Sequence, residues 1–369
     1  MTATPPPFPG RPAPPAAALP VSRLWWVTGP LLMALLAVIV VTAARPVPYI
    51  ALRPGTARSV EPLVTLSALS GGPRPNVEKP TDDLLFVTVS SRQPSGIEAL
   101  WYSRDRTAEV VPEKIINGTQ TPQQNRTFNL QLMTDSKDKA AKVALERSGF
   151  DVKVSYTGAV ITDQSPDLPS SKVLQPSDTI VEADGKAIKT PDDLVGVIAA
   201  HEPGQTIALR VDRLDPAGTV DVEAELAKNP KTGKALLGVS LDARPKYTFP
   251  IKVDIDSGLV GGPSAGLAFT LALIDQLSPG DLTGDRTVAV TGTINLDGSV
   301  GPVGGVVQKT EAAIRAGATV FIVPNDEYAD ATKAARGRLK VRQVADVDQA
   351  LKILRELGGD PVPGSGADG

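Results

Sequence analysis

The sequence predicts an α+β protein that follows a single N-terminal transmembrane helix. Three observations lead to this fold class: an uncharged apolar segment near the N-terminus, a central region of short strand-like segments with one helix, and a C-terminal region with both apolar strand and apolar helix segments. The chain has 369 residues, enough for two to three domains of about 150 residues each. Because 41% of its residues are apolar, it can bury a core and global disorder is not expected.

Composition excludes several kinds of functional site. The chain has no cysteine, which excludes disulfide scaffolds, thiolate metal sites and cysteine nucleophiles. Its one histidine, His201, excludes multi-histidine metal sites. We therefore expect neither a metal nor a cofactor. The formal net charge of -3 argues against nucleic acid as the main partner.

The N-terminal region contains a tail and a membrane-spanning candidate. Residues 1–23 are rich in proline and are predicted to form a disordered tail. Residues 24–44 carry no charge and are long enough to cross about 30 Å of hydrocarbon as a helix, with Trp25 and Trp26 at one interface. A cleaved signal peptide is the alternative, since residues 42–44 are small. The N-terminal tail is short and has no acidic residue, which favours a cytoplasmic location for it. We therefore expect a single-pass cell-membrane protein with its C-terminal part outside the cytoplasm.

The next region is predicted to combine a linker with mixed α/β structure. Residues 45–148 are assigned to it, with a linker by composition at residues 70–80. The segment Leu84–Ser90 is predicted to be a strand, and Lys137–Ser148 a helix. At the other end of the chain, residues 358–369 are predicted to be a flexible tail.

Residues 149–230 are predicted to form a small β-rich domain. Asp184-Gly185 is a hairpin signal between two apolar segments, and Thr190 is placed to cap a helix that begins at Pro191. This order of elements resembles a PDZ domain, a family that binds extended peptide ends by strand addition. The alternative is a β-rich spacer without a ligand. By the resemblance, the loop that holds the peptide carboxylate consists of Tyr156, Thr157, Gly158, Ala159 and Val160.

A serine stands at the start of an apolar helix in the C-terminal region. The turn Gly262-Pro263 leads to Ser264, and the predicted helix that follows is apolar nearly all round. Backbone N–H groups and the helix dipole favour negative charge at that position, which suits a nucleophile whose attack creates an oxyanion. The alternative is that Ser264 only caps the helix. An α/β-hydrolase is excluded because its catalytic histidine follows the serine, and no histidine follows Ser264.

A lysine 45 residues further along is the candidate base. The segment Val306–Ala316 is predicted to be a helix that ends before Gly317, and Lys309 lies on its apolar face. Burial disfavours the ammonium form, so it would lower the lysine pKa from about 10.4 toward neutrality and create a base. The alternative is a lysine whose ammonium reaches solvent from the edge of the helix.

Residues 236–357 resemble the proteolytic domain of Lon-type peptidases. The resemblance rests on four motifs in the family's order: GPSAG at 262–266, TGTI at 291–294, GPVGG at 301–305 and KTEAA at 309–313. It implies a Ser–Lys dyad in which Ser264 is the nucleophile and Lys309 the general base. It further implies that Thr291 positions the lysine. The oxyanion is assigned by the same resemblance to the turn formed by Gly262, Pro263 and Ser264.

An anchor, a PDZ-like domain and a Lon-like domain together resemble the membrane-anchored PDZ-containing Lon-like proteases, and residues 45–148 fit the protease part of those proteins. No G-x-x-x-x-G-K-[ST] motif for a nucleotide occurs in the sequence. The expected function is therefore ATP-independent serine endopeptidase activity on unfolded or exposed polypeptide segments, with the PDZ domain recognising substrate ends or gating the site. Proteins or peptides and the membrane are the expected partners, and the resemblance implies a homo-oligomer. The alternative is a catalytically inactive PDZ-bearing membrane scaffold.

Overall fold

The computed structural model describes residues 25–70, 72–73, 83–118 and 120–362. The predicted tail at residues 1–23, most of the predicted linker at residues 70–80 and the last seven residues of the chain lie outside this range.

The described residues form nine α-helices and eighteen strands. The helices are α1 (Trp25–Ala44), α2 (Gly96–Tyr102), α3 (Glu113–Asn117), α4 (Pro122–Arg147), α5 (Pro191–Ile198), α6 (Gly266–Leu277), α7 (Val306–Arg315), α8 (Tyr328–Ala335) and α9 (Val347–Glu356). The strands are β1 (Tyr49–Ser59), β2 (Val64–Ala68), β3 (Leu84–Arg92), β4 (Glu109–Pro112), β5 (Lys153–Gln164), β6 (Thr179–Ala183), β7 (Lys186–Ala187), β8 (Thr206–Leu214), β9 (Ala217–Glu225), β10 (Ala227–Lys228), β11 (Ala235–Leu236), β12 (Val239–Thr248), β13 (Ile251–Ile255), β14 (Val288–Val290), β15 (Thr293–Ile294), β16 (Val300–Gly301), β17 (Val320–Pro324) and β18 (Lys340–Val344).

A six-stranded sheet joins residues from both sides of the PDZ-like region. Its strand order is β18-β17-β14-β3-β1-β4, with parallel pairing from β18 to β3 and antiparallel pairing of β1 with its two neighbours. All five residues of β17 are buried, as expected for a parallel strand covered on both faces. Residues before and after the central region therefore build one α/β unit, and the PDZ-like region is inserted into it.

The helix α6 lies in the core of this unit. Its residues from Gly266 to Gln276 are all buried, and Phe269 packs against Phe86 of β3 with ring centroids 6.0 Å apart. The long helix α4, which begins with a capping box formed by Thr121 and Gln124, packs along α6. Burial on all sides fixes α6, so the residues just before it have a defined position.

A second sheet forms the inserted region. Its strand order is β12-β5-β6-β8-β9, β7 pairs with β6, and α5 covers its core. Arg213 forms a two-pronged ion pair with the fully buried Asp178 carboxylate. The strand β12 belongs to this sheet by its pairing with β5, so the sheet extends beyond residue 230, where the sequence predicted the PDZ domain to end.

The apolar segment near the N-terminus is the helix α1, and its side chains are largely exposed. Among the described helices, α1 is the one long and apolar enough to cross a membrane, a property that a signal sequence near the N-terminus would share.

Residues 358–362, the described part of the predicted flexible tail, contact the rest of the chain. The backbone N–H of Asp360 donates to the carbonyl of Asp281, and the Asp360 carboxylate accepts from the Asp281 N–H. Val362 is buried in the main core. These contacts explain why a Gly- and Pro-rich composition does not leave this segment free.

Candidate active site

Ser264 lies in the turn that leads into α6. Its carbonyl oxygen accepts hydrogen bonds from Gly292 N (3.0 Å) and from the Thr291 hydroxyl (3.2 Å), both in the segment that follows β14. Leu267 N in turn donates to the Gly292 carbonyl (3.1 Å). The backbone at Ser264 is therefore fixed from the central sheet, and its side chain is only partly buried.

Lys309 projects from α7 toward the same segment. It is 3% exposed, and its Nζ donates to Thr291 Oγ1 at 3.1 Å. Thr291 is fully buried, and its backbone N–H is held by the Ile322 carbonyl of β17 (3.0 Å). The structure thus brings Ser264, Thr291 and Lys309 together, with the threonine hydroxyl bridging the amine and the serine carbonyl. Within the described residues, the amine and the serine hydroxyl share no direct hydrogen bond.

Burial changes the proton affinity of Lys309. Desolvation lowers the pKa of Lys309 to about 7, and the carboxylate of Glu327 opposes this shift. About half of the amine is therefore neutral near pH 7, a state in which it can accept a proton. A buried lysine with a threonine hydroxyl as partner has the properties of a general base.

Two residues of α4 hold the serine turn, and neither role is predicted from the sequence. Ser136 Oγ donates to the Pro263 carbonyl at 2.9 Å, and Gly262 N donates to the Asn129 carbonyl at 2.7 Å. From the sequence, this helix is predicted only from Lys137 onward. The capping signal at residues 121–124 marks the actual start of α4 and would have placed both residues on it.

The same contacts change the interpretation of the predicted oxyanion turn. Gly262 has φ of +88°, a conformation that favours glycine, and its N–H is occupied by Asn129. Pro263 has no N–H. Of the three predicted residues, only Ser264 therefore has a backbone N–H that can be offered to an oxyanion. Gly262 and Pro263 determine the shape of the turn instead.

A cavity of about 700 Å³ adjoins this turn. Its walls come from α4, from β5 and β12 of the inserted sheet, and from residues 293–297 after Thr291. Pro263 and Ser136 line one end of the cavity, and Tyr156 and Arg244 line the side formed by the inserted sheet. Space for a ligand therefore lies between the two units and reaches the residue next to Ser264.

Comparisons with known proteins identify both units. Residues 240–356 match the family model of the Lon protease (S16) C-terminal proteolytic domain, and residues 147–224 match that of the PDZ domain. The chain carries a Lon-type proteolytic domain. That domain is a serine peptidase domain, so the predicted fold class and enzyme class are confirmed.

Curated Lon proteases are similar to part of this chain. The Lon protease of Trichlorobacter lovleyi is 38% identical over 118 residues, which are 31% of this chain and 14% of that protein. The Lon protease of Heliobacterium modesticaldum is 30% identical over 175 residues, 47% of this chain and 21% of that protein. The chain therefore spans a minor part of the length of these relatives.

A solved PDZ-domain structure is similar to part of this chain. The PDZ domain of an SdrC-like protein from Listeria monocytogenes aligns with 26% identity and a TM-score of 0.23, covering 24% of this chain and 92% of that one.

The structure gives a different location to the predicted carboxylate-binding loop of the PDZ domain. Tyr156, Thr157, Gly158, Ala159 and Val160 are not in a loop but inside β5. Ala159 pairs with Ala243 on one side and with Ile180 on the other, and Gly158 N donates to the Lys189 carbonyl. Backbone groups that serve the sheet are not available to a peptide end. One edge of this sheet is β12, which pairs with β5 and with no other described strand.

Proposed function

We propose that the chain is a membrane-anchored serine endopeptidase that works without a nucleotide and cleaves unfolded or exposed polypeptide segments. The observation that carries the proposal is the buried amine of Lys309, bonded to Thr291, whose hydroxyl also binds the carbonyl of Ser264. A buried lysine costs stability, and the described residues offer it no carboxylate within salt-bridge distance. A role as the base for Ser264 explains its presence.

The proposed chemistry is acyl transfer in two steps. The neutral amine of Lys309 accepts the proton of the Ser264 hydroxyl while Oγ attacks the scissile carbonyl carbon. The resulting ammonium donates that proton to the leaving nitrogen, the C–N bond breaks, and an ester on Ser264 remains. The amine then accepts a proton from a water molecule that attacks the ester. Release of the acid restores the serine hydroxyl and the neutral lysine.

Stabilisation of the oxyanion is assigned to the N-terminal end of α6. The backbone N–H groups of Ser264 and Ala265 donate to no acceptor within the described part of the chain. They lie just before a buried twelve-residue helix whose dipole favours negative charge at this end. Two such donors suit the oxyanion of the tetrahedral intermediate that forms when Ser264 attacks.

The cavity beside the turn is the proposed path of the substrate. Residues 242–245 of β12 line it together with Pro263, so a polypeptide segment bound in this cavity would reach the residue next to Ser264. Strand addition needs unpaired backbone groups, which β12 has and β5 does not. We therefore place substrate recognition by the PDZ domain on β12.

The predicted membrane anchor and nucleotide independence are parts of the same proposal. The helix α1 would hold the protease at the cell membrane, with the rest of the chain outside the cytoplasm. Because the sequence has no nucleotide-binding motif, unfolding is not supplied by this chain, and its substrates are already unfolded or exposed.

Cleavage of a fluorescein-labelled unfolded protein tests the proposal. The full chain in detergent should release labelled peptides equally with and without ATP, and Ser264→Ala and Lys309→Met should each abolish the release. Ser257→Ala is the matched control, since Ser257 is a buried serine seven residues before Ser264. Unchanged release in Ser264→Ala would refute the proposal. A chain that binds peptides but does not cleave them would instead be the scaffold.

A further inference from the structure

The segment that leaves α1 is fixed on both sides by two short helical regions. Val47 N donates to the Pro94 carbonyl (3.0 Å), just before α2, and Glu113 N at the start of α3 donates to the Pro48 carbonyl (3.1 Å). The first residue of α2, Gly96, is so close to α1 that a Cβ there would lie 3.4 Å from the Thr42 carbonyl oxygen. Both α2 and α3 therefore lie beside the C-terminal end of α1 and the residues that follow it.

These two helices expose large apolar side chains. On α2, Ile97, Leu100 and Trp101 are 42%, 59% and 73% exposed. Their spacing of three and four residues places them on one face of the helix. On α3, Ile115 is 70% exposed. A helix of a soluble protein normally turns such a face toward the core, but here the buried residue of α2 is Tyr102.

We propose that Ile97, Leu100, Trp101 and Ile115 form a collar that inserts into the interfacial region of the bilayer. This inference rests on the proposed anchoring by α1. Continuity selects the bilayer as the occupant, because the helices that carry these side chains are bonded to the segment by which the chain would leave the membrane.

The composition of the collar fits this location. Tryptophan is the side chain that prefers the membrane–water interface, and the neighbouring aliphatic side chains suit the acyl boundary. Exposed basic residues, Arg104 next to the apolar face of α2 and Lys114 beside Ile115, can reach anionic headgroups.

A collar changes what the anchor does. A single helix would leave the catalytic unit free to rotate above the membrane surface. Contact of α2 and α3 with the bilayer adds attachment points beside the first, so it fixes the height and orientation of the central sheet, to which both helices are joined through β1 and β4. Substrates would then reach Ser264 from one defined direction.

Tryptophan quenching by brominated lipid tests the proposal in the full chain. The chain has three tryptophans, Trp25, Trp26 and Trp101. The variant Trp25→Phe/Trp26→Phe reports on the collar alone, and Trp101→Phe reports on the anchor alone. In vesicles of phosphatidylcholine and phosphatidylglycerol with brominated acyl chains, we expect a comparable loss of emission from both variants. Peptide cleavage by both variants in detergent should equal that of the parent chain, which controls for folding.

The outcomes separate the collar from the anchor. Quenching in Trp101→Phe, which keeps the two tryptophans of α1, without quenching in Trp25→Phe/Trp26→Phe, which keeps Trp101, would overturn the collar and leave the anchor in place. Quenching of neither would show that α1 is not in the bilayer, which overturns both. In the Trp25→Phe/Trp26→Phe variant, the Trp101 emission maximum could instead shift to the blue with rising protein-to-lipid ratio, without quenching. That result would show that a second copy of the chain covers the collar, and it would also overturn the proposal.

Discussion

The pH dependence of catalysis is the sharpest consequence of the buried lysine. With a pKa of about 7, the neutral fraction of the Lys309 amine is about one-tenth at pH 6, about one half at pH 7 and about nine-tenths at pH 8. Only the neutral form accepts the serine proton, so kcat/KM should rise about tenfold from pH 5 to pH 6 and about fivefold from pH 6 to pH 7, and it should level off above pH 8. An ordinary lysine, with a pKa of 10.5, would give a rise that continues through pH 9.

The assay is the second-order rate of Ser264 modification by a serine-reactive phosphonate, measured from pH 5.5 to 9.5. This rate reports the free enzyme and avoids later steps. A second buried group needs a control, because burial also raises the pKa of Glu61 to about 7. Glu61 lies against α6, where its backbone carbonyl accepts a hydrogen bond from the side-chain amide of Gln276.

The variant Glu61→Gln removes that second titration. Its pH profile should keep the same inflection near 7 if Lys309 is responsible. A profile that becomes flat in Glu61→Gln would transfer the titration to Glu61, and a rise that continues through pH 9 in the parent chain would show that the amine is not desolvated. Either result would refute the argument from burial.

Three further substitutions test the structure around the site. Ser136→Ala removes the bond to the Pro263 carbonyl and should lower kcat about tenfold, or about 1.4 kcal/mol, with KM little changed in steady-state kinetics. Gly266→Ala would put a Cβ 2.7 Å from Ser136 Oγ and should cost about 1–3 kcal/mol of unfolding free energy in urea. Asp178→Asn leaves the Arg213 guanidinium without its buried carboxylate and should destabilise the PDZ domain by about 3 kcal/mol, measured by hydrogen exchange.

Each of these expectations has a contradicting outcome. Parent-like kcat in Ser136→Ala would mean that α4 does not position the serine turn, and Ser136→Thr, which keeps a hydroxyl, should restore activity. Parent-like stability of Gly266→Ala would mean that the close approach of α4 and α6 is not rigid. Faster exchange in the Lon-type domain than in the PDZ domain of Asp178→Asn would contradict a local effect of the ion pair.

Local sequence patterns were sufficient for the parts of the site that lie within one element. The run of apolar residues after Ser264 predicts a helix buried on all sides, and α6 is such a helix. The apolar face of the helix around Lys309 predicts a buried amine, and Lys309 is 3% exposed. In both cases the period of the side chains carries the information, because burial of a helix face depends on neighbours three and four residues away.

Contacts across long separations were not predictable in the same way. The hydrogen bond from the Ser136 hydroxyl to the Pro263 carbonyl joins residues that are 127 positions apart in the sequence, with the PDZ domain between them. The short apolar run at residues 158–161 favours a strand but does not tell whether that strand pairs with one neighbouring strand or with two. The pairing of β12 with β5 decides this, and β12 lies in a region that the sequence assigned to the other domain.

Mapping of the phosphonate adduct by peptide mass spectrometry tests the central claim most directly. In the full chain we predict one adduct, on the peptide that contains Ser264, and a rate reduced to background in Lys309→Met. Thr291→Val should label slowly, since the amine loses the hydroxyl that receives its hydrogen bond. An adduct on another serine, or labelling of Lys309→Met at the parent rate, would contradict the assignment of nucleophile and base.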